Sequence, residues 1–365
     1  MKITQIMLSK GFGGGERYFL DLCLALAARG HQVQAVCHRR FERIGDLKGQ
    51  RGIEVAAVDA LGMWDVRSVR QMAAAAAEFA PAVMHSHMAR GAWAGGKMGG
   101  RAGAPLVATT HNYVDLKYYG GVHTFIATTH DQAVYLADNR VAADRIVEIP
   151  NFSSFAPVAA AVRPGDPARF VAFGRFVTKK GFDVLLRALR KVCDAGVDAR
   201  LALGGSGPEA AALESLAREL GVWERVRFAG WVHDVAAFLR EGEVFVLPSL
   251  DEPFGIVMLE AMASGRAIVT SRSQGPSEVL DDATCWFAEL GDADTLARAM
   301  IEAARDPDAA ESRATAALAR YVGRYHEDVV VPRIEAVYAS VVDASPGPDP
   351  ARRRLHTVLP GLRRR

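Results

Sequence analysis

Strand-length apolar runs alternate with helical patterns along most of this chain, and that alternation restricts the fold more than any single motif does. Residues 3–8, 33–37, 53–58, 82–85, 106–110 and 125–128 read as strands, with helices expected over 15–29 and 66–79. Repeated strand–helix alternation predicts a parallel sheet covered by helices on both faces. After Ile149-Pro150-Asn151 the period lapses, and the Pro- and Gly-bearing stretch 163–167 reads as a domain linker. A second series of strands follows at 170–173, 200–203, 226–228, 244–247 and 267–270. The chain therefore reads as α/β, with two Rossmann-like domains at 1–160 and 165–326 facing each other across a cleft, which is the expected site.

At 365 residues, half of them apolar, the chain is long enough for two such domains. No run approaches the roughly 18 apolar residues of a membrane span, and the opening apolar run is too short for a signal segment. A cytoplasmic protein is expected. Cys23, Cys37, Cys193 and Cys285 form no C-x-x-C pair, and no histidine cluster has zinc spacing, so the thiols read as reduced and buried. The net charge of +2 hides an asymmetry: residues 351–365 carry six arginines and no acid, and subtracting those six leaves −4 for the rest. That end reads as a solvated tail, with peripheral contact to anionic lipid at the inner face of a membrane as the alternative. A slightly acidic body without interleaved basic and aromatic residues argues against nucleic acid as a partner.

Ligands of parallel sheets bind outside the carboxyl ends of the strands, where helix N-termini offer unpaired N–H groups to anions. Glu252-Pro-Phe-Gly-Ile-Val-Met-Leu-Glu260 stands at such a place, after the strand 244–247 and opening a helix. Its two carboxylates can accept hydrogen bonds from sugar and ribose hydroxyls while the helix end takes a phosphate. Gly174-Arg-Phe-Val-Thr-Lys-Lys-Gly181 follows the strand 170–173. Within it Arg175 can grip oxygens bidentately and Lys180 adds a point charge, whereas Lys179 reads as exposed. Gly11-Phe-Gly-Gly-Gly-Glu16 joins the first strand to the first helix but lacks the spacing of a dinucleotide site. His111 ends the strand 106–110, His85 and His87 end another as cleft-lining or structural residues, and Gly204-Gly-Ser-Gly-Pro208 turns after 200–203.

These motifs resemble, in order and over nearly the whole chain to about residue 340, those of the family 4 retaining glycosyltransferases, also called group 1. The matching features are the E-x7-E signature, the G-R-x-x-x-x-K-G diphosphate motif, the N-terminal Gly-Gly loop, the strand-then-His pattern and the G-x-G-P loop. The resemblance implies the GT-B fold, a helix at 327–343 that crosses back to the first domain, and a basic, mobile tail at 344–365. It implies a hexosyl donor that is a nucleotide-diphosphate sugar, UDP favoured over GDP, and a glycan or lipid-linked acceptor in lipopolysaccharide or cell-envelope polysaccharide synthesis. It gives catalytic roles to Glu252, His111, Arg175 and Lys180, and donor binding to Gly14, Gly15, Arg175, Lys180, Gly205, Glu252, Phe254, Gly255, Ile256 and Glu260. Glu252 would hold sugar hydroxyls, Glu260 the ribose, and Arg175 with Lys180 the leaving diphosphate. No cofactor beyond the co-substrate and no metal is implied.

Two departures stand out. Gln274-Gly275-Pro276 replaces the Gly-Gly of many relatives, with Glu278 read as capping or orienting that loop. The basic loop 38–51, bearing Phe41 and Ile44, reads either as solvated or as a contact for a phosphorylated or lipid-linked acceptor. A nucleotide-sugar epimerase and a non-catalytic nucleotide- or glycan-binding module are the alternatives. The first converts a nucleotide sugar without an acceptor, and the second binds donor without releasing nucleoside diphosphate.

Overall fold

A computed structural model describes residues 1–62, 64–160, 165 and 167–344, with the backbone alone for 99–102. The first half runs β1 (Lys2–Met7), α1 (Gly14–Ala28), β2 (Gln32–His38), α2 (Ile44–Leu47), β3 (Ile53–Val58), α3 (Val66–Phe79), β4 (Val83–His87), α4 (Met88–Ala102), β5 (Leu106–Thr110), β6 (Thr124–Ala127), α5 (His130–Asp138) and β7 (Ile146–Glu148). The second runs β8 (Ala168–Phe173), α6 (Phe182–Asp194), β9 (Ala199–Gly204), α7 (Ala210–Glu219), β10 (Val226–Gly230), α8 (Val235–Leu239), β11 (Val244–Leu247), α9 (Ile256–Ala263), β12 (Ala267–Ser271), α10 (Gln274–Val279) and β13 (Trp286–Ala288). Three helices close the described chain: α11 (Ala293–Arg305), α12 (Pro307–Arg324) and α13 (Glu327–Ala344).

Each half builds one parallel sheet, in the orders β3-β2-β1-β4-β5-β6-β7 and β10-β9-β8-β11-β12-β13. The strands β4, β5, β11 and β12 are buried at every residue. Burial on both faces makes β11 a continuous apolar run and β5 and β12 largely apolar rather than alternating, whereas β4 buries His85, Ser86 and His87 as well. Strand order reverses between β1 and β4 and again between β8 and β11, and at such switch points the following loops part and leave a crevice at the carboxyl edge. Helices begin where short polar side chains can take their free N–H groups: Asp65 accepts from Arg67 and Ser68 at α3, and Thr129 from Gln132 at α5.

The strands β7 and β13, three residues each, and the helices α4, α11 and α12 were not expected from periodicity. The helix α4 is glycine-rich and a poor helix former by propensity. It is held by close packing: a Cβ at Gly91 would meet the Ile6 carbonyl oxygen at 2.8 Å, and Gly96 abuts Gly121. The last helix, α13, places Tyr338 against the first sheet, where Gln5 donates to its hydroxyl at 2.9 Å. The basic tail 345–365 and residues 161–164 and 166 of the expected linker lie outside the described residues. Among the described residues no helix is long and apolar enough to cross a membrane, and all four cysteines are free, Cys193 being only half-buried.

Candidate active site

Between the two carboxyl edges lies a cleft of about 500 Å³. Residues following β1 (Ser9, Gly11 to Glu16), β5 (His111, Asn112), β8 (Arg175) and β11 (Glu252 to Ile256) all reach it, so both switch points open onto the same space. Gly255 caps α9 with φ +89, and a Cβ there would sit 3.2 Å from Glu252 Cγ, in a backbone region that side chains rarely adopt. No side chain caps the N-terminus of α9; Met258 N–H turns back to the Gly255 carbonyl at 2.8 Å, while the N–H groups of Ile256 and Val257 precede the helical ladder. The Arg175 guanidinium, exposed in the cleft, has no hydrogen-bond or ion-pair partner among the described residues. Gly14 approaches Ile256 Cδ1, and Gly15 lies against Met88 and the His111 ring, so the start of α1 stands close to both.

Glu252 is buried, and the Lys180 ammonium donates to its Oε2 at 2.5 Å while Ser249 Oγ lies 3.3 Å away. Lys180 therefore stands behind Glu252 rather than on the cleft lining. The side chains of Phe254 and Ile256 are buried in the core, so these residues frame the cleft mainly through backbone and packing. Within Gln274-Gly275-Pro276, position 275 is glycine for a steric reason. Its N–H donates to the Glu252 carbonyl at 2.9 Å, and a Cβ on it would lie 2.3 Å from Phe254 Cα, so α10 can sit directly beneath the 252–254 loop.

Two further residues expected at the donor lie off the lining. Gly205 abuts the Gly174 carbonyl and leaves Ser206 to face the cleft. Glu260, one turn into α9, is 3% exposed and pairs with Arg17 of α1 at 3.3 Å, while Arg17 also holds Asp21 at 3.0 Å. Burial pushes the Glu260 carboxyl up to about 7, against the pull of Arg17 and with a further push from Asp21. Glu278 does not cap its own loop. Its carboxylate accepts from the backbone N–H of His130 at 2.6 Å and of Asp131 at 3.1 Å, capping α5 of the other half, because a free helix N-terminus attracts a carboxylate. Gln274 bridges in the same way to Tyr113 Oη at 3.0 Å.

The 38–51 loop keeps much of the solvated character read from its sequence, with Arg39, Arg40, Lys48 and Arg51 exposed. Phe41 is core, packed against Phe12 and Phe19; Arg39 and Arg43 are engaged by Asp59 and Asp46; and Glu42, an acid, reaches the cleft. Sequence reasoning missed Met88, Asn112, Asn151 and Trp231, which line the cleft as well. Met88 adopts φ +65, a strained conformation at the turn from β4 into α4. Asn151 is buried with its Oδ1 unpaired. His85 and His87 are wholly buried and thus structural rather than cleft-lining, and burial lowers His85 to about 3 and His111 to about 4, leaving both rings neutral.

Residues 12–153 match the Glycosyltransferase Family 4 family, and residues 158–320 match Glycosyl transferases group 1. The lipopolysaccharide core biosynthesis glycosyltransferase LpsD of Rhizobium meliloti is 32% identical over 302 residues, covering 81% of this chain and 86% of that protein. The chain belongs to the group 1, family 4 glycosyltransferases. A second core biosynthesis glycosyltransferase of the same organism, LpsE, is also 32% identical and covers 84% of this glycosyltransferase and 89% of its own length. Among solved structures, HepE of Anabaena in complex with UDP-glucose superimposes with a TM-score of 0.80 at 19% identity, covering 93% and 100% of the two chains. The lipopolysaccharide outer core galactosyltransferase WaaB, in its apo form, gives 0.73 at 17%, with the same coverage. The two-sheet arrangement is thus the GT-B fold. Within it, Gly14, Gly15 and His111 of this glycosyltransferase fall in the family 4 match, and Arg175 and the E-x7-E segment in the group 1 match.

Proposed function

We propose that this glycosyltransferase moves a hexosyl unit from a UDP-sugar to a glycan of the lipopolysaccharide core or another cell-envelope polysaccharide, with retention of configuration and without a metal. The observation that carries the reading is Arg175, an unpaired cation sharing one cleft with the uncapped N-terminus of α9 and with Glu252. As the donor's bond to its leaving phosphate breaks, negative charge grows on the diphosphate and positive character on the sugar. Arg175 and the α9 N–H groups meet the first, and Lys180 holds the Glu252 carboxylate where it can take hydroxyls of the second. The leaving phosphate helps deprotonate the acceptor hydroxyl on the same face, so the configuration is kept. UDP is favoured over GDP because HepE was solved with UDP-glucose, and the acceptor class follows the names of LpsD and LpsE.

The test is to incubate the protein with UDP-, GDP- and ADP-hexoses and a lipopolysaccharide-core oligosaccharide, with and without EDTA. Nucleoside diphosphate release and the anomeric configuration of the product are followed by NMR. Release from UDP-hexose, retained configuration and insensitivity to EDTA are expected; an inverted product, or transfer abolished by EDTA, would overturn the corresponding part of the proposal.

A further inference from the structure

A continuous line of buried side chains leads from the cleft to the last helix. His111 Nε2 lies 3.3 Å from His87 Nδ1, and His87 Nε2 lies 2.8 Å from Gln5 Oε1. Gln5 Nε2 donates to Tyr338 Oη at 2.9 Å, Tyr338 Oη meets His85 Nδ1 at 2.6 Å, and His85 Nε2 lies 2.8 Å from Thr109 Oγ1. Gln5, His85, His87, Thr109 and Tyr338 are all 0% exposed, so bulk water does not enter this line.

A neutral imidazole has one donor and one acceptor nitrogen, and burial holds these three rings neutral. The polarity of the whole line then follows from one amide. The Gln5 oxygen can only accept, so His87 carries its proton on Nε2 and its Nδ1 must accept. His111 therefore donates from Nε2, and its Nδ1 keeps a bare lone pair. That nitrogen has no partner among the described residues, and His111 lines the cleft. In the other direction the Gln5 amide N–H satisfies Tyr338, whose hydroxyl proton goes to His85 Nδ1, and His85 donates from Nε2 to Thr109. Turning the Gln5 amide by 180° would reverse every one of these bonds and move the His111 proton to Nδ1.

We propose that Gln5, His87 and Tyr338 are positioning residues that fix His111 as its Nε2–H tautomer, so that it offers an unprotonated Nδ1 to a hydroxyl of the bound sugar. This rests on the reading of the cleft as the site of glycosyl transfer. None of the three needs to touch substrate, and Tyr338 acts from α13, the last helix of the described residues.

The test uses the full chain labelled with ¹⁵N-histidine, at pH 7.5, with two-bond ¹H–¹⁵N correlation spectra reporting which ring nitrogen carries the proton. Nε2–H is expected for His85, His87 and His111 alike. Nδ1–H at His111 would overturn the proposal whether or not the enzyme transfers sugar, so its failure is separable from failure of the functional reading. The second arm is Tyr338→Phe, which uncouples the Gln5 amide from His85 and Thr109, so that its orientation is no longer tied to the rest of the line. A mixed His111 tautomer and a fall of about tenfold in kcat, with donor KM changed less than twofold, are expected for the loss of one oriented hydrogen bond. A folded Tyr338→Phe protein with His111 still wholly Nε2–H and kcat equally reduced would show that the tyrosine is merely structural. A mixed tautomer with unchanged kcat would show that the ring's orientation does not matter, and either result overturns the proposal.

Discussion

Replacing Glu260 by glutamine should change the pH dependence of stability in a way that can be worked out beforehand. The carboxyl is 3% exposed and held at about 7 instead of 4.5, chiefly by burial. A folded value above the unfolded one means that the folded state holds the proton more tightly. The group's contribution to stability is then complete below about 4.5, is lost as pH rises, and is gone above about 7. At about 1.36 kcal/mol per pH unit the full loss is on the order of 3 kcal/mol, most of it between pH 5 and pH 8. Glutamine keeps the shape and never ionises, and Arg17 retains Asp21 at 3.0 Å. The loss of the charged contact to Arg17 shifts the variant by a roughly constant amount at pH values where Glu260 is ionised, but it does not cancel the slope. Urea unfolding of wild type and Glu260→Gln at pH 5, 6, 7 and 8 should show the variant gaining about 2–3 kcal/mol relative to wild type across that range. A difference that stays flat would refute the reasoning, because it would mean that the carboxylate is solvated or already ionised in the folded state.

Arg175→Ala should leave the melting temperature unchanged, since the side chain is exposed and touches no partner, while transfer falls about a hundredfold or more; melting curves and kcat check both, and near-normal turnover would contradict the role. Gly255→Ala should cost roughly 1–3 kcal/mol, because φ is +89 and the new Cβ presses on Glu252 Cγ at 3.2 Å; activity should drop with it as Glu252 moves, measured by denaturant midpoint and turnover. Glu252→Ala should fold and lose transfer sharply, with Lys180 left unpaired at the site; a folded variant with normal rates sinks the assignment. Acid should lower the stability of the protein progressively below about pH 6.5. His85 and His111 sit at about 3 and about 4 against an ordinary 6.5, so their stabilisation is complete above 6.5 and lost as pH falls, and together with His87 they outweigh the opposite contribution of Glu260. A urea midpoint that rises from pH 6.5 to 4.5 would contradict this.

Much of the site was legible because its signals are local. The strands β3, β5 and β11 fall where their apolar runs end, and the loops after β1, β8 and β11 carry the glycines and charges that reach the cleft. The helix α4 was not legible, because its glycines oppose helix formation until Ile6 and Gly121 pack against them. Nor was Asn151, whose unpaired oxygen is visible only once the surrounding chain buries it.

The sequence by itself determined the parallel α/β class and the strand ends whose loops carry Arg175, Glu252 and His111, which the structure brings to one cleft. Periodicity and turn residues act over a few positions, and a strand's carboxyl end is set by the chain on either side of it. Only the tertiary structure decided that Glu260 faces Arg17, that Glu278 caps a helix of the other half 148 residues away, and that Gln5 reaches a tyrosine 333 residues on. Those pairings depend on where two separately folded sheets meet, and burial, which sets the protonation of Glu260 and of the three histidines, exists only after they have met.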